Sequence, residues 1–287
     1  MDTLLEILRP GFLLRDALVG SVVVGLVCPL VGGYFLLRRM IFLGVALPQM
    51  SAAGIAFAFL VFSSVAHGHE HGVRPERLLA LVGSVTFTLG GLLVLAALER
   101  RGRETVEARI GTAYALAAAA TLLFVAVDPF GEAQMVNLLK GDIITTSGGG
   151  LALLAGGLGT VAVVLLAFRK ELLLVSFDRE MAIVLGKRAG LWDGILYLLI
   201  GVTISFGVMT AGPLVTFGFL VVPPLAARMV TRHMLSFSLV SAALGGLMAF
   251  AGFWCSYRWD LPLGPTEVAL TGVVLAVLGT ARAAARR

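Results

Sequence analysis

Charge is scarce in this sequence. Only 14% of its 287 residues are Asp, Glu, Lys or Arg, where soluble domains carry about 25%. No polar stretch long enough for a soluble domain interrupts the apolar runs, which leaves no room for a nucleotide-binding or enzymatic domain. Cysteine is scarcer still: Cys28 and Cys255 are the only two. Each sits in an apolar run without paired-ligand spacing, so neither a disulfide framework nor a zinc cluster is suggested and packing is their default role. A cleavable signal pattern is also missing, because the first apolar stretch runs on past Cys28 with no small-residue cleavage site.

What is present is hydrophobicity. Apolar residues make up 59% of the chain and the mean hydropathy is +0.98. Thirty-five glycines suit close helix–helix approach in lipid. The reading is an all-α, polytopic transmembrane bundle forming a single transmembrane domain over 1–287. Residues 1–16 are too charged to span and suit an interfacial helix. Apolar spans follow at 17–37, 41–66, 78–98, 110–127, 148–168, 194–209, 213–227, 235–257 and 266–281, nine in all. The sixth and seventh are short and separated only by Thr210-Ala211-Gly212. They could equally be one broken helix with a re-entrant piece, which would give eight. The mixed segment 128–147 reads as a loop with a short surface helix.

The basic residues orient the bundle. If the first span runs inward, 16 of the 22 Lys and Arg residues fall on the inner side, as the positive-inside rule requires. The net charge of +5 therefore describes span ends at a membrane and not a nucleic-acid surface. This orientation puts the C-terminus and the segment 169–190 in the cytoplasm, and the loop 67–77 outside. His67, His69 and His71 alternate with Gly68 and Glu70 in that loop. Imidazoles beside a carboxylate can hold a divalent metal loosely, although a solvated loop would look the same.

The segment FRKELLLVSFDREMAIVLGKRAGLW, 168–192, is flanked by two long apolar halves. Its middle, 176–186, reads as one amphipathic helix capped by Ser176 or Asp178 and closed by Gly186. Phe177, Met181, Val184 and Leu185 fall on one face. About ten residues cannot cross a bilayer. An apolar face on such a helix must rest on lipid, on the bundle, or in the groove of a soluble partner.

No charged residue lies in the middle of a span, Glu267 coming closest. Ion-coupled carriers usually need such a residue as a relay, so energy for uphill transport would enter from outside the bilayer. Pro48, Gly212-Pro213 and Pro223-Pro224 mark helix interruptions of the kind found around substrate paths, with packing kinks as the alternative. Gln49, Met50, Ser51, Thr210 and Thr216 lie near these breaks and could line a path.

At LLRRMIFLGVALPQMSAAGIAFAF (37–60), SFDREMAIVLGK (176–187) and VVPPLAARMVTRH (221–233), the chain resembles the membrane permeases of zinc/manganese-type ABC importers, the ABC-3 family. Arg109-Ile110-Gly111 and Lys140-Gly141-Asp142-Ile143-Ile144 extend the resemblance over nearly the whole chain. It implies a transport subunit that is not itself an enzyme and binds no covalent cofactor. It also implies a second permease copy or paralogue, cytoplasmic ABC ATPase subunits, an extracytoplasmic substrate-binding protein, and a bacterial inner-membrane location. The helix over 177–187 would then be the coupling helix, seating Phe177, Met181, Val184 and Leu185 in the ATPase. The cargo implied is a divalent transition metal: zinc, manganese or iron.

One departure bears on the cargo. Metal-importing members commonly carry Gly-Asp-x-x-x-His after Arg-Arg-Met, and that Asp and His are thought to hold the ion. Here the matching positions are Val45 and Gln49. Three explanations stand: a partner subunit supplies the ligands, the ion passes with little coordination after capture by the outer histidines, or the cargo is a metal chelate or something else. Two rival functions make different predictions. A stand-alone channel or ion-coupled carrier would conduct alone, and a non-transporting membrane scaffold would show no substrate-dependent ATP hydrolysis.

Overall fold

A computed structural model of the chain describes residues 14–65, 75–99, 105–128 and 148–284. The outer histidines, the Lys140-Gly141-Asp142 motif and residues 1–13 lie outside them. Ten helices and no strand occur among the described residues. Five long ones come first: α1 (Arg15–Leu37), α2 (Leu43–Val65), α3 (Pro75–Glu99), α4 (Val106–Val127) and α5 (Gly148–Ala167). Two short ones follow, α6 (Arg169–Phe177) and α7 (Arg179–Val184). The chain then continues through α8 (Ala189–Val230), α9 (Met234–Trp259) and α10 (Leu263–Ala284). Eight of these helices are long and apolar enough to cross a membrane.

Helix α8 resolves the choice between one broken span and two. Its 42 residues would measure about 63 Å if straight, against a hydrocarbon core of about 30 Å. It is not straight. Gly212 has φ 82° and ψ 166°, a conformation essentially confined to glycine. A Cβ added at Gly207 would lie 2.8 Å from Thr216 Cγ2, whereas nine residues along a straight helix are about 13 Å apart. The helix therefore folds back as a hairpin with legs 189–211 and 213–230. Both ends of α8 return to the same end of the bundle: Asp193 meets Arg38 at 2.7 Å, and Arg228 shares a cleft with Arg39. With the legs counted separately, the described helices allow nine passes.

Proline is the poorer guide to helix breaks. Pro29, Pro48, Pro223 and Pro224 all lie inside helices. The expected interruptions at Pro48 and Pro223-Pro224 do not occur; Gly212 alone carries non-helical dihedrals within α8. Inside a bundle, neighbouring helices and local adjustment accommodate the lost backbone donor.

Helix α1 runs through the centre, packed on α8, α9 and α5. Phe35, Leu47, Ile55, Leu196, Ile200, Phe219 and Leu220 are fully buried there. Glycine permits the closest approaches. Gly25 of α1 faces Gly245 of α9, Gly54 of α2 faces Gly83 of α3, and a Cβ on Gly32 would overlap the Leu220 carbonyl. Small residues at such contacts let backbones meet where lipid offers no hydrophobic driving force. The outer faces are apolar too: Leu93, Leu116 and Val163 are each about two-thirds exposed, as lipid-facing positions should be.

The amphipathic segment differs from its sequence reading in one respect. It is two short helices, not one over 176–186. Asp178 turns extended (φ −146°, ψ 94°), ends α6 and accepts a hydrogen bond from Met181 N at 2.9 Å to start α7. Capping by the extended residue breaks the helix that amphipathic spacing alone would continue. Ser176 is inside α6, and its hydroxyl accepts from Arg38 Nε at 3.1 Å instead. The end of α7 is as expected. Gly186 takes φ 73°, and Lys187 N and Gly186 N donate to the Ala182 and Ile183 carbonyls at 2.9 Å each, a Schellman closure.

Candidate substrate path and coupling surface

The path candidates form two groups. Gln49, Met50 and Ser51 succeed one another on α2 and point in different directions. Gln49 Nε2 donates to Thr121 Oγ1 of α4 at 3.5 Å, a long contact. Val45, one turn earlier, shares that face and is half-buried. Met50 fills the space left by Gly91 of α3. Ser51 is fully buried, 2.6 Å from Ser84 Oγ, with Thr88 donating to the Ser84 carbonyl below it. Ser51 is thus committed to the α2–α3 contact, while Gln49 faces α4.

Thr210 and Thr216 flank the turn of the α8 hairpin. Their hydroxyls donate to carbonyls of their own helix: Thr210 to Phe206 O at 2.7 Å and Thr216 to Gly212 O at 2.8 Å. These bonds satisfy backbone acceptors around the turn, the task that serines and threonines perform at helix breaks in lipid. Neither threonine hydrogen-bonds to the α2 group. Among the described residues no three His, Cys, Asp or Glu side chains gather to hold a metal. Glu267 is fully buried and accepts a hydrogen bond from Ser21 of α1. It packs on Gly252 of α9, so its environment is set by α1, α9 and α10.

The coupling candidates lie together at one end of the bundle, and they are bare. Phe177 is 61% exposed and Val184 81%. Met181, Ile183 and Leu185 are exposed as well. Their helix is nevertheless held in place. Ala182 is fully buried in a small cluster with Val175 and Ala189, against Trp192. Lys187 reaches Glu171 at 3.6 Å. Arg38, at the end of α1, donates to both Ser176 and Asp193 and lies over the Tyr197 ring at 5.6 Å. Arg179 of α7 meets the other oxygen of Asp193 at 3.3 Å. Asp193 thus joins the central helix to α7 through two arginines.

Sequence reasoning missed Arg38, Asp193, Thr121 and Ser84. Arg38 and Asp193 stand 155 positions apart, and no local pattern pairs them. An acidic residue one turn into an otherwise apolar helix was the available signal for Asp193.

Comparison with known proteins identifies the chain. A probable iron transport system membrane protein of Haemophilus influenzae is 24% identical over 277 residues, covering 96% of this chain and 92% of the relative. A manganese transport system membrane protein, MntB, of Synechocystis is 28% identical over 283 residues, covering 96% and 85%. The solved structure of PsaBC from Streptococcus pneumoniae in complex with Fab has the same fold. Its TM-score is 0.82 at 18% identity, over 96% of this chain and 94% of that one. The ABC 3 transport family matches residues 12–282, nearly the full length, and this chain belongs to that family.

Proposed function

We propose that this protein is the membrane permease of an ATP-driven importer of divalent transition metal, working at a bacterial inner membrane with α7 and the C-terminus in the cytoplasm. The observation that carries the reading is the exposed apolar surface of Phe177 at the end of α6 and of Met181, Val184 and Leu185 on and just after α7, which Asp178, Ala182 and Asp193 hold in place. An apolar face offered on a fixed helix suits the groove of a soluble partner. In this reading that partner is an ABC ATPase, so ATP hydrolysis resides in a separate chain. A second permease copy or paralogue completes the path, and a binding protein outside delivers the cargo. Manganese and iron are the metals for which relatives are named; zinc stands beside them on chemical grounds.

Val45 and Gln49 favour a second reading of the cargo. Valine offers no ligand atom, and a glutamine amide is a poor ligand beside carboxylate or imidazole. A metal chelate, whose ion arrives already coordinated, would need neither.

The test is ATP hydrolysis by the reconstituted permease–ATPase complex with its binding protein, against Mn²⁺, Fe²⁺, Zn²⁺ and iron chelates. Stimulation by one free ion supports the metal importer; stimulation by a chelate alone supports the second reading. Flux through the permease alone, driven by a gradient, would replace both with a channel or carrier. Hydrolysis that ignores every substrate would leave a scaffold.

A further inference from the structure

A second feature lies at the same end of the bundle, bordering the coupling surface at Phe177. Beside Phe177 lies a cleft of about 660 Å³ between the end of α1, the end of α8 and the start of α9. Arg39, Arg228, Arg232 and His233 line it, and no Asp or Glu does. None of its three arginines makes an ion pair among the described residues, whereas nearby Arg38 and Arg179 both pair with Asp193. Arg39 sits at φ 57°, a left-handed conformation that residues other than glycine seldom adopt. The α1–α2 turn fixes it there through Met40 N donating to Phe35 O at 2.9 Å. His233 starts α9 without a side-chain cap, so the first N–H groups of a 26-residue helix add partial positive charge. Three unpaired cations and a helix N-terminus at one cleft call for an anion.

The other walls say which kind. Leu36 and Leu37 belong to the last turn of α1, and Met234 and Phe237 to the first turn of α9. Both are membrane-crossing helices, so the cleft lies where acyl chains give way to headgroups. A neighbouring cleft of about 300 Å³ repeats the arrangement across Met234. There Leu30, Leu165 and Leu173 share the lining with Arg169 and Lys170. A free phosphate would gain nothing from the leucines, and an acidic protein surface could not reach beneath the headgroup level. Basic residues above apolar walls, between helices at the inner membrane surface, suit a lipid headgroup.

We propose that this cleft is a binding site for an anionic phospholipid. The phosphate is held by Arg39, Arg228 and Arg232, and the acyl chain begins along Leu37 and Met234. Because Phe177 forms one edge, an occupied cleft abuts the coupling surface, and lipid charge tunes how tightly the permease engages its ATPase. The site rests on the membrane-embedded permease reading and is independent of the cargo.

The experiment uses the purified permease–ATPase complex in phosphatidylcholine nanodiscs with a graded fraction of phosphatidylglycerol. Bound lipid is read by native mass spectrometry. Retention of phosphatidylglycerol is expected to fall at least about tenfold in the triple variant Arg39→Gln, Arg228→Gln, Arg232→Gln, since each surface cation contributes severalfold to such binding. The matching Lys triple should restore it, which separates loss of charge from loss of fold. A control triple at Arg15, Arg258 and Arg282 should retain lipid as the wild type does. Equal retention in the cleft and control variants overturns the proposal. So does displacement of the lipid by inorganic phosphate, which would make the cleft a soluble-anion site. Loss of the ATPase subunit with lipid retention intact also overturns it, as the cleft would then be a protein dock. None of these outcomes depends on which metal, if any, is carried.

Discussion

Single residues in this bundle act mainly by allowing or forbidding contact. A methyl group at Gly32 has no space, because the Leu220 carbonyl occupies it. Gly32→Ala should destabilise the protein by about 3 kcal/mol, the upper range for overpacking against a backbone. Gly279, with nothing near its would-be side chain, should tolerate alanine within about 0.5 kcal/mol. Thermal unfolding in detergent compares the two directly. Arg38 is a different case, since it holds Ser176 and Asp193 together. Arg38→Gln should cost about 1–3 kcal/mol, as a partly buried charged hydrogen bond is lost. Asp193→Asn in the same background should then add less than it does alone. A double-mutant cycle on stability checks this. The same pair of variants, assayed for transport per ATP, tests whether Asp193 links α7 to the central helix.

Elements were legible where one local rule governed them. Every apolar span expected from hydropathy corresponds to a helix of the structure, with ends within about five residues. The hairpin in α8 was one of two stated possibilities, and Gly212 decides it. The cap at Asp178 was one of the two offered, and its hydrogen bond to Met181 N selects it over Ser176; what was not legible is that the chain before it, through Phe177, is helical as well. The path was least legible. Gln49, Ser51, Thr210 and Thr216 share polar character in sequence, but the partners of Gln49 and Ser51, Thr121 and Ser84, are fixed by tertiary packing, while Thr210 and Thr216 turn back on carbonyls of their own helix. At this scale two expectations follow. Gly212→Ala should cost about 1–3 kcal/mol, because its dihedrals suit only glycine, and a lowered melting temperature would report it. Met181→Asp with Leu185→Asp should leave stability within about 0.5 kcal/mol, both side chains being exposed, while abolishing co-purification of the ATPase. A misfolded double variant would show that the face is packed.

For the molecule as a whole, the question is which ends meet which compartment. Cysteine labelling answers it once Cys28 and Cys255 are replaced. Val184→Cys and Arg282→Cys should react with an impermeant maleimide from one side of sealed vesicles, and Leu261→Cys from the other. Labelling of Val184→Cys and Arg282→Cys from opposite faces would contradict the hairpin. The turn at Gly212 therefore governs more than local geometry. One glycine that folds a helix back on itself changes the number of crossings from even to odd. The parity of the chain, and hence the compartment that sees Arg282, is set by a residue with no side chain at all.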